Sequence, residues 1–120
     1  MNRLQHFLRA KTMYGIHSPF VYHLYTEALF SHASGVPRGR FEGAVWRLEH
    51  RYGVKASRSE GEATLSCNDG SFLVLDHPHR CESRWQAVVA DPQWKATLDF
   101  FDFGIAVDNP HLSKQHFILR

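Results

Sequence analysis

The sequence predicts an α/β fold in which two or three N-terminal helices pack on a small mixed sheet of three or four strands ending in an antiparallel hairpin. Three observations lead there. Phe72-Leu73-Val74-Leu75 is a four-residue apolar run behind the turn signal Asn68-Asp69-Gly70, and such a run reads as a strand buried on both faces in a parallel or mixed sheet. Between residues 18 and 53 the apolar side chains recur at helical spacing, with start and stop signals in place. From Ala96 onward they alternate, as in a strand.

The elements follow in order. Leu4, Phe7 and Leu8 at i, i+3, i+4 predict a short amphipathic surface helix with Asn2 as its N-cap. Tyr14-Gly15-Ile16-His17 interrupts it, and Ser18-Pro19 restarts a helix as N-cap and first-turn proline. Phe20, Val21, Leu24, Tyr25, Ala28 and Leu29 form its buried stripe. A loop rich in Gly and Pro covers 31–40. Phe41, Val45, Leu48 and Tyr52 then mark a third helix closed by Gly53. Residues 54–62 are polar and read as a connection. Ala63 to Cys67 is either a strand paired with 71–76 or the end of a helix. Pro78 opens a helix with Cys81, Trp85, Val88 and Val89 on one face, stopped by Pro92. Residues 96–107 predict one long strand whose phase changes near Phe100-Phe101, as at a bulge. After Asp108-Asn109-Pro110, residues 115–120 run back as the second arm of a hairpin.

These elements make one domain, helical over 1–53 and strand-helix-strand-strand over 63–120. A hydrophobic content of 43% with 22% charged residues is that of a globular chain. A net charge of +2 is too small to point to nucleic acid. No window has the roughly 20 apolar residues of a membrane span. With two cysteines and a polar start at Met1-Asn2-Arg3, the expected setting is reducing and cytoplasmic.

Candidate sites cluster at the end of the 72–75 strand, because ligands bind at the carboxyl ends of strands in open α/β sheets. Asp76 and His77 are the candidate ligand-facing residues there. His77, His79 and Cys81 form a candidate transition-metal set. The simpler alternative has Asp76 capping the helix at Pro78, with the imidazoles in solvent. His17, just before a helix N-terminus, is a third ligand-facing candidate, or a buried histidine that fixes its loop. Asp99 and Asp102 suit acid-base work as a pair but read better as edge or solvent-facing positions. Arg3, Arg9 and Lys11 read as a solvated helix face.

The succession strand, helix, strand, hairpin, together with Leu73-Val74-Leu75-Asp76, Trp85, the run 98–105, Lys114-Gln115-His116-Phe117 and the N-terminal Gly15-Ile16-His17-Ser18-Pro19-Phe20-Val21, resembles class I S-adenosylmethionine-dependent methyltransferases, in a bacterial branch related to the O-methyltransferases. The resemblance implies a truncated Rossmann-like fold. In that family the strand end at Asp76 carries an acidic pair or Asp-Asn facing substrate or metal, and here Asp76 alone matches. The family's glycine-rich cofactor loop and ribose-binding acid have no counterpart, so the chain resembles the family's two ends joined across a deletion near 55–62.

The resulting expectation is a non-catalytic binding or assembly module with no cofactor of its own. The alternatives are the substrate side of a split methyltransferase, binding S-adenosylmethionine only when a partner completes the site, and a small His/Cys metal-binding protein. Loss of neighbouring strands would leave one flank of the 72–76 strand open, which predicts a homo-oligomer or a protein partner.

Overall fold

Residues 2–10, 18–30, 33–68 and 70–119 are described by a computed structural model. Its centre is the predicted strand, Gly70–Asp76 (β3), in which Phe72 to Leu75 are all buried. Glu62–Cys67 (β2) pairs with it as an antiparallel hairpin that sets Cys67 opposite Gly70, which settles the strand-or-helix choice at 63–67. Ser57–Ser59 (β1) continues the sheet beyond β2, inside the stretch expected to be a plain connection. The flank of β3 expected to lie open is therefore paired.

The long strand expected over 96–107 is two strands, Ala96–Asp99 (β4) and Phe103–Asp108 (β5), paired antiparallel. The break has a local cause. The Asp99 carboxylate accepts the Phe101 N–H at 2.9 Å, and Phe101 turns into a left-handed backbone with φ 71°, so the side chain takes a donor from the ladder and ends the strand. β5 then lies between β3 and β4 and pairs antiparallel with both. Both its edges are used. The final strand, Gln115–Ile118 (β6), consequently cannot form the expected hairpin with β5 and runs parallel to β4 on its outer edge. The sheet has six strands in the order β1-β2-β3-β5-β4-β6, not three or four.

Helices cover both faces. Pro19–His23 (α2) starts at the Ser18 cap and proline as expected and continues as a wider π-helical stretch, Leu24–Leu29. Arg40–Tyr52 (α3) ends at Gly53 in the left-handed conformation that favours glycine. Val21, Leu24, Leu29, Val45 and Leu48 from these helices pack on Phe72, Val74, Leu98, Ile105 and Val107 of the sheet. On the other face Glu82–Ala90 (α4) lays Trp85 and Val88 on Leu73, Leu75 and Ala106. This alternation along β3 is why a continuous apolar run was needed.

Arg3–Arg9 (α1) has the Asn2 cap, reinforced by Gln5 as a capping box. Its apolar stripe faces outward, with Leu4, Phe7 and Leu8 at 66%, 54% and 71% exposure, while His6 is its buried residue. Polar contacts decide that orientation. The His6 Nε2 lies 2.6 Å from the Leu119 carbonyl, and Arg3 sits 4.6 Å over the Phe101 ring and donates to Asp102 at 2.7 Å.

Candidate functional site

Two strand ends carry the polar chemistry, one at each side of β5. At the end of β3, Asp76 and His77 border an open cleft of about 700 Å3 whose other walls include Arg40, Glu42, Arg58 and Asp102. His77 holds a left-handed backbone, φ 45°, and donates its main-chain N–H to the Asp102 carbonyl at 3.0 Å. Its Nδ1 is 2.7 Å from Asp76. His77 and Phe101 are the two non-glycine residues with positive φ among the described residues, and both stand at this end of the sheet. Strained backbones of this kind cost on the order of 1–3 kcal/mol each and need surrounding structure to hold them.

The cleft is balanced in charge. Arg3 and Arg40, from separate helices, both bond the Asp102 carboxylate, at 2.7 and 3.1 Å. Burial pushes the Asp102 carboxyl up, but the two guanidinium groups outweigh it and hold the group below its ordinary range. Arg58 pairs with Glu42 at 3.0 Å. The walls thus present both signs of charge with most of it internally matched.

At the end of β4 the arrangement is closed. Asp99 is 1% exposed and His6 5%, and no arginine or lysine bonds this carboxylate among the described residues. Its Oδ2 is 2.5 Å from His79 Nε2, and His79 Nδ1 is 2.8 Å from Glu82. Both ring nitrogens of His79 therefore face carboxylate oxygens, and the bond from His79 holds the Glu82 carboxyl below its usual range. Asp99 Oδ1 faces His6 Nδ1 at 3.6 Å, beyond hydrogen-bond reach. That nitrogen is buried with no hydrogen-bond partner among the described residues. Since the Leu119 carbonyl can only accept, His6 carries a proton on Nε2, and its Nδ1 faces Asp99 without a hydrogen bond. Phe101 closes the pocket by stacking on His79 and meeting His6 edge-on.

The predicted residues divide accordingly. Asp76 and His77 do line the cleft at the strand end. Asp76 caps no helix: neither the 3-10 turn Pro78–Arg80 nor α4 has a side-chain cap, and the carboxylate is turned to His77. His77, His79 and Cys81 do not converge. The His77 ring is drawn to Asp76 and Asp102, the His79 ring to Asp99 and Glu82, and the Cys81 thiol toward the His77 carbonyl at 3.7 Å. Burial and the nearby carboxylates Glu62, Asp76 and Glu82 push the Cys81 thiol up, away from the thiolate a metal requires. The set that does converge among the described residues is His6, His79 and Asp99, whose ligand atoms lie within 4.8 Å of one another. Asp99, expected at an edge or in solvent, is buried at the centre of it. Lys11 and His17, with the rest of residues 11–17, lie outside the described residues.

His6 was missed because it sits inside a stripe that reads as an ordinary amphipathic helix. The one available signal was Asp99 followed two residues later by Phe101 inside an otherwise apolar strand, a side-chain acceptor placed to end it.

No family model, curated protein or solved structure matches the chain.

Proposed function

We propose that this protein is a non-catalytic binding module derived from a methyltransferase-like ancestor, offering the cleft at the end of β3 to a small polar ligand. The observation that carries the reading is the join at residues 54–67. Where a methyltransferase-like sheet would continue toward its cofactor half, β1 and β2 fold back antiparallel and occupy the flank of β3. The succession of β3 and α4 keeps the strand and helix of the resemblance, whereas its terminal hairpin of 96–107 with 115–120 is replaced by the pairing of β4 with β5. A partner chain bringing a cofactor half could not add a strand beside β3 without displacing β2, which weighs against the split-enzyme alternative.

The cleft keeps Asp76 and His77 at a strand end with Arg40 and Arg58 opposite, a lining suited to ligands carrying both an amine and a carboxylate. A glycine-rich turn for a nucleoside cofactor is lacking, so S-adenosylmethionine is not its ligand. One or two hydrogen bonds at about 0.5–1.5 kcal/mol each do not offset an association cost of at least about 4 kcal/mol. Calorimetric titration with S-adenosylmethionine should give no binding. A dissociation constant below about 100 μM, near −5.5 kcal/mol, would contradict the reading. Free amino acids and dipeptides, titrated under NMR, should shift the His77, Arg40 and Arg58 side-chain signals, and shifts spread evenly over the surface would remove the cleft as the binding site.

A further inference from the structure

We infer that His6, His79 and Asp99 form a divalent transition-metal site of the zinc type, which staples α1 to the end of the sheet. Three elements distant in sequence contribute: His6 from the middle of α1, His79 from the turn before α4, and Asp99 from the last position of β4. Their ligand atoms are within 4.8 Å of one another. In a tetrahedral site with bonds of about 2.0–2.1 Å, neighbouring ligand atoms stand roughly 3.4 Å apart. His6 Nδ1 stands 3.6 Å from Asp99 Oδ1 and His79 Nε2 2.5 Å from Asp99 Oδ2, on different oxygens of one carboxylate, so gathering one atom from each residue around an ion takes shifts of roughly 1–1.5 Å toward that spacing.

Two further features separate this cluster from an ordinary buried hydrogen-bond network. First, the His6 Nδ1 is a buried nitrogen with no hydrogen-bond partner among the described residues, 3.6 Å from a carboxylate oxygen of Asp99. Buried polar atoms are rarely left so, and a cation between the two would satisfy both. Second, the outer contacts match those of metal-bound histidines. Such rings give their remote N–H to a carbonyl or a carboxylate, which fixes the tautomer and orientation. Here His6 gives Nε2–H to the Leu119 carbonyl, and His79 gives Nδ1–H to Glu82. Each ring therefore turns its other nitrogen toward Asp99. Two imidazoles and one carboxylate form a borderline donor set suited to zinc and its neighbours rather than to magnesium or calcium. A seven-residue helix is too short to persist unsupported, so a bond from metal to His6 would hold α1 in place.

The test is equilibrium dialysis of the full chain against Zn2+, followed by Co2+ substitution. The expected result is one ion per chain, and a Co2+ spectrum with visible bands of a four-coordinate nitrogen and oxygen site without a thiolate charge-transfer band. His6→Ala should weaken Zn2+ binding at least about 10-fold, whereas the double variant His77→Ala, Cys81→Ser should bind as the parent does. Zn2+ should also slow amide exchange in α1 of the unaltered chain, a readout that needs no variant to fold. No stoichiometric Zn2+, a thiolate band, loss of binding in the double variant, or α1 exchange indifferent to Zn2+ would each overturn the inference.

Discussion

Asp99 and Asp102 stand three residues apart at one end of the sheet, yet they are held by opposite means. Asp102 is clamped by Arg3 and Arg40, whose side chains are 68% and 41% exposed, so its charge is matched by groups that remain largely in water. Asp99 is fully enclosed and has imidazoles and one backbone N–H as partners. A guanidinium keeps its charge under all ordinary conditions and closes a carboxylate to other cations. Imidazoles can give up a proton and turn a lone pair to the same carboxylate. The clamp is therefore a joint between helices, and the enclosed cluster is the place where chemistry can be exchanged.

The difference can be broken most severely at Asp99. Asp99→Ala removes the partner of His79 and the acceptor that ends β4, and should cost about 3–5 kcal/mol in urea unfolding, as expected when one member of a buried pair is deleted. Asp102→Ala should cost about 1 kcal/mol in the same assay, since its arginines regain water. Equal losses would show that the two carboxylates are held alike.

A packing change on the Asp99 side sharpens the contrast. Gly104 pairs with Asp99 across β4 and β5, and a Cβ added there would come within 2.8 Å of the buried Trp85 ring. Gly104→Ala should destabilise by about 1–3 kcal/mol through this overpacking. In crystal structures of the variant, the indole and β4 should shift while the Arg3 and Arg40 bonds to Asp102 stay.

The pH response separates the two regions further. His116 lies on the outer strand with its Nδ1 2.6 Å from Thr97, and although the residue as a whole is exposed, partial desolvation of its ring holds it below the ordinary imidazole range. A depressed group binds protons first in the unfolded chain, so its stabilisation is present above about pH 6.5 and is lost as pH falls toward the folded value. Asp102 obeys the same sign in a lower window, with its contribution present above about pH 4 and lost below it. Unfolding free energies should decline in two separated steps on acidification. His116→Gln should flatten the upper step alone, and Asp102→Asn the lower.

Much of this architecture is legible in the sequence, and the failures share one cause. The caps at Asn2 and Ser18, the closing glycine at position 53 and the double-faced run at 72–75 are local signals, and each gives its element correctly. The turn at Phe100 to Asp102, the parallel docking of β6 and the extra strand β1 depend on which sheet edges are already occupied, which no local pattern records. Likewise the position of Asp76 and His77 at a strand end follows from local pattern, whereas the His6, His79 and Asp99 cluster joins residues 20 to 93 positions apart and becomes visible only with the fold.

The smallest effect concerns the outer side of α1. Leu4→Ser and Leu8→Ser should each change stability by less than about 0.5 kcal/mol, because both side chains are already in water. A larger loss would mean that the apolar stripe, and not His6 and Arg3, docks the helix.

The most direct test of the contrast between the two carboxylates is a long-range nitrogen-proton NMR spectrum of the histidine rings in the metal-free chain at neutral pH. His6 should be protonated on Nε2 and show no hydrogen bond at Nδ1, and both nitrogens of His79 should show hydrogen bonds, to Asp99 and Glu82. A His6 ring protonated on Nδ1 and bonded to Asp99 would make the cluster an ordinary closed network and contradict the account.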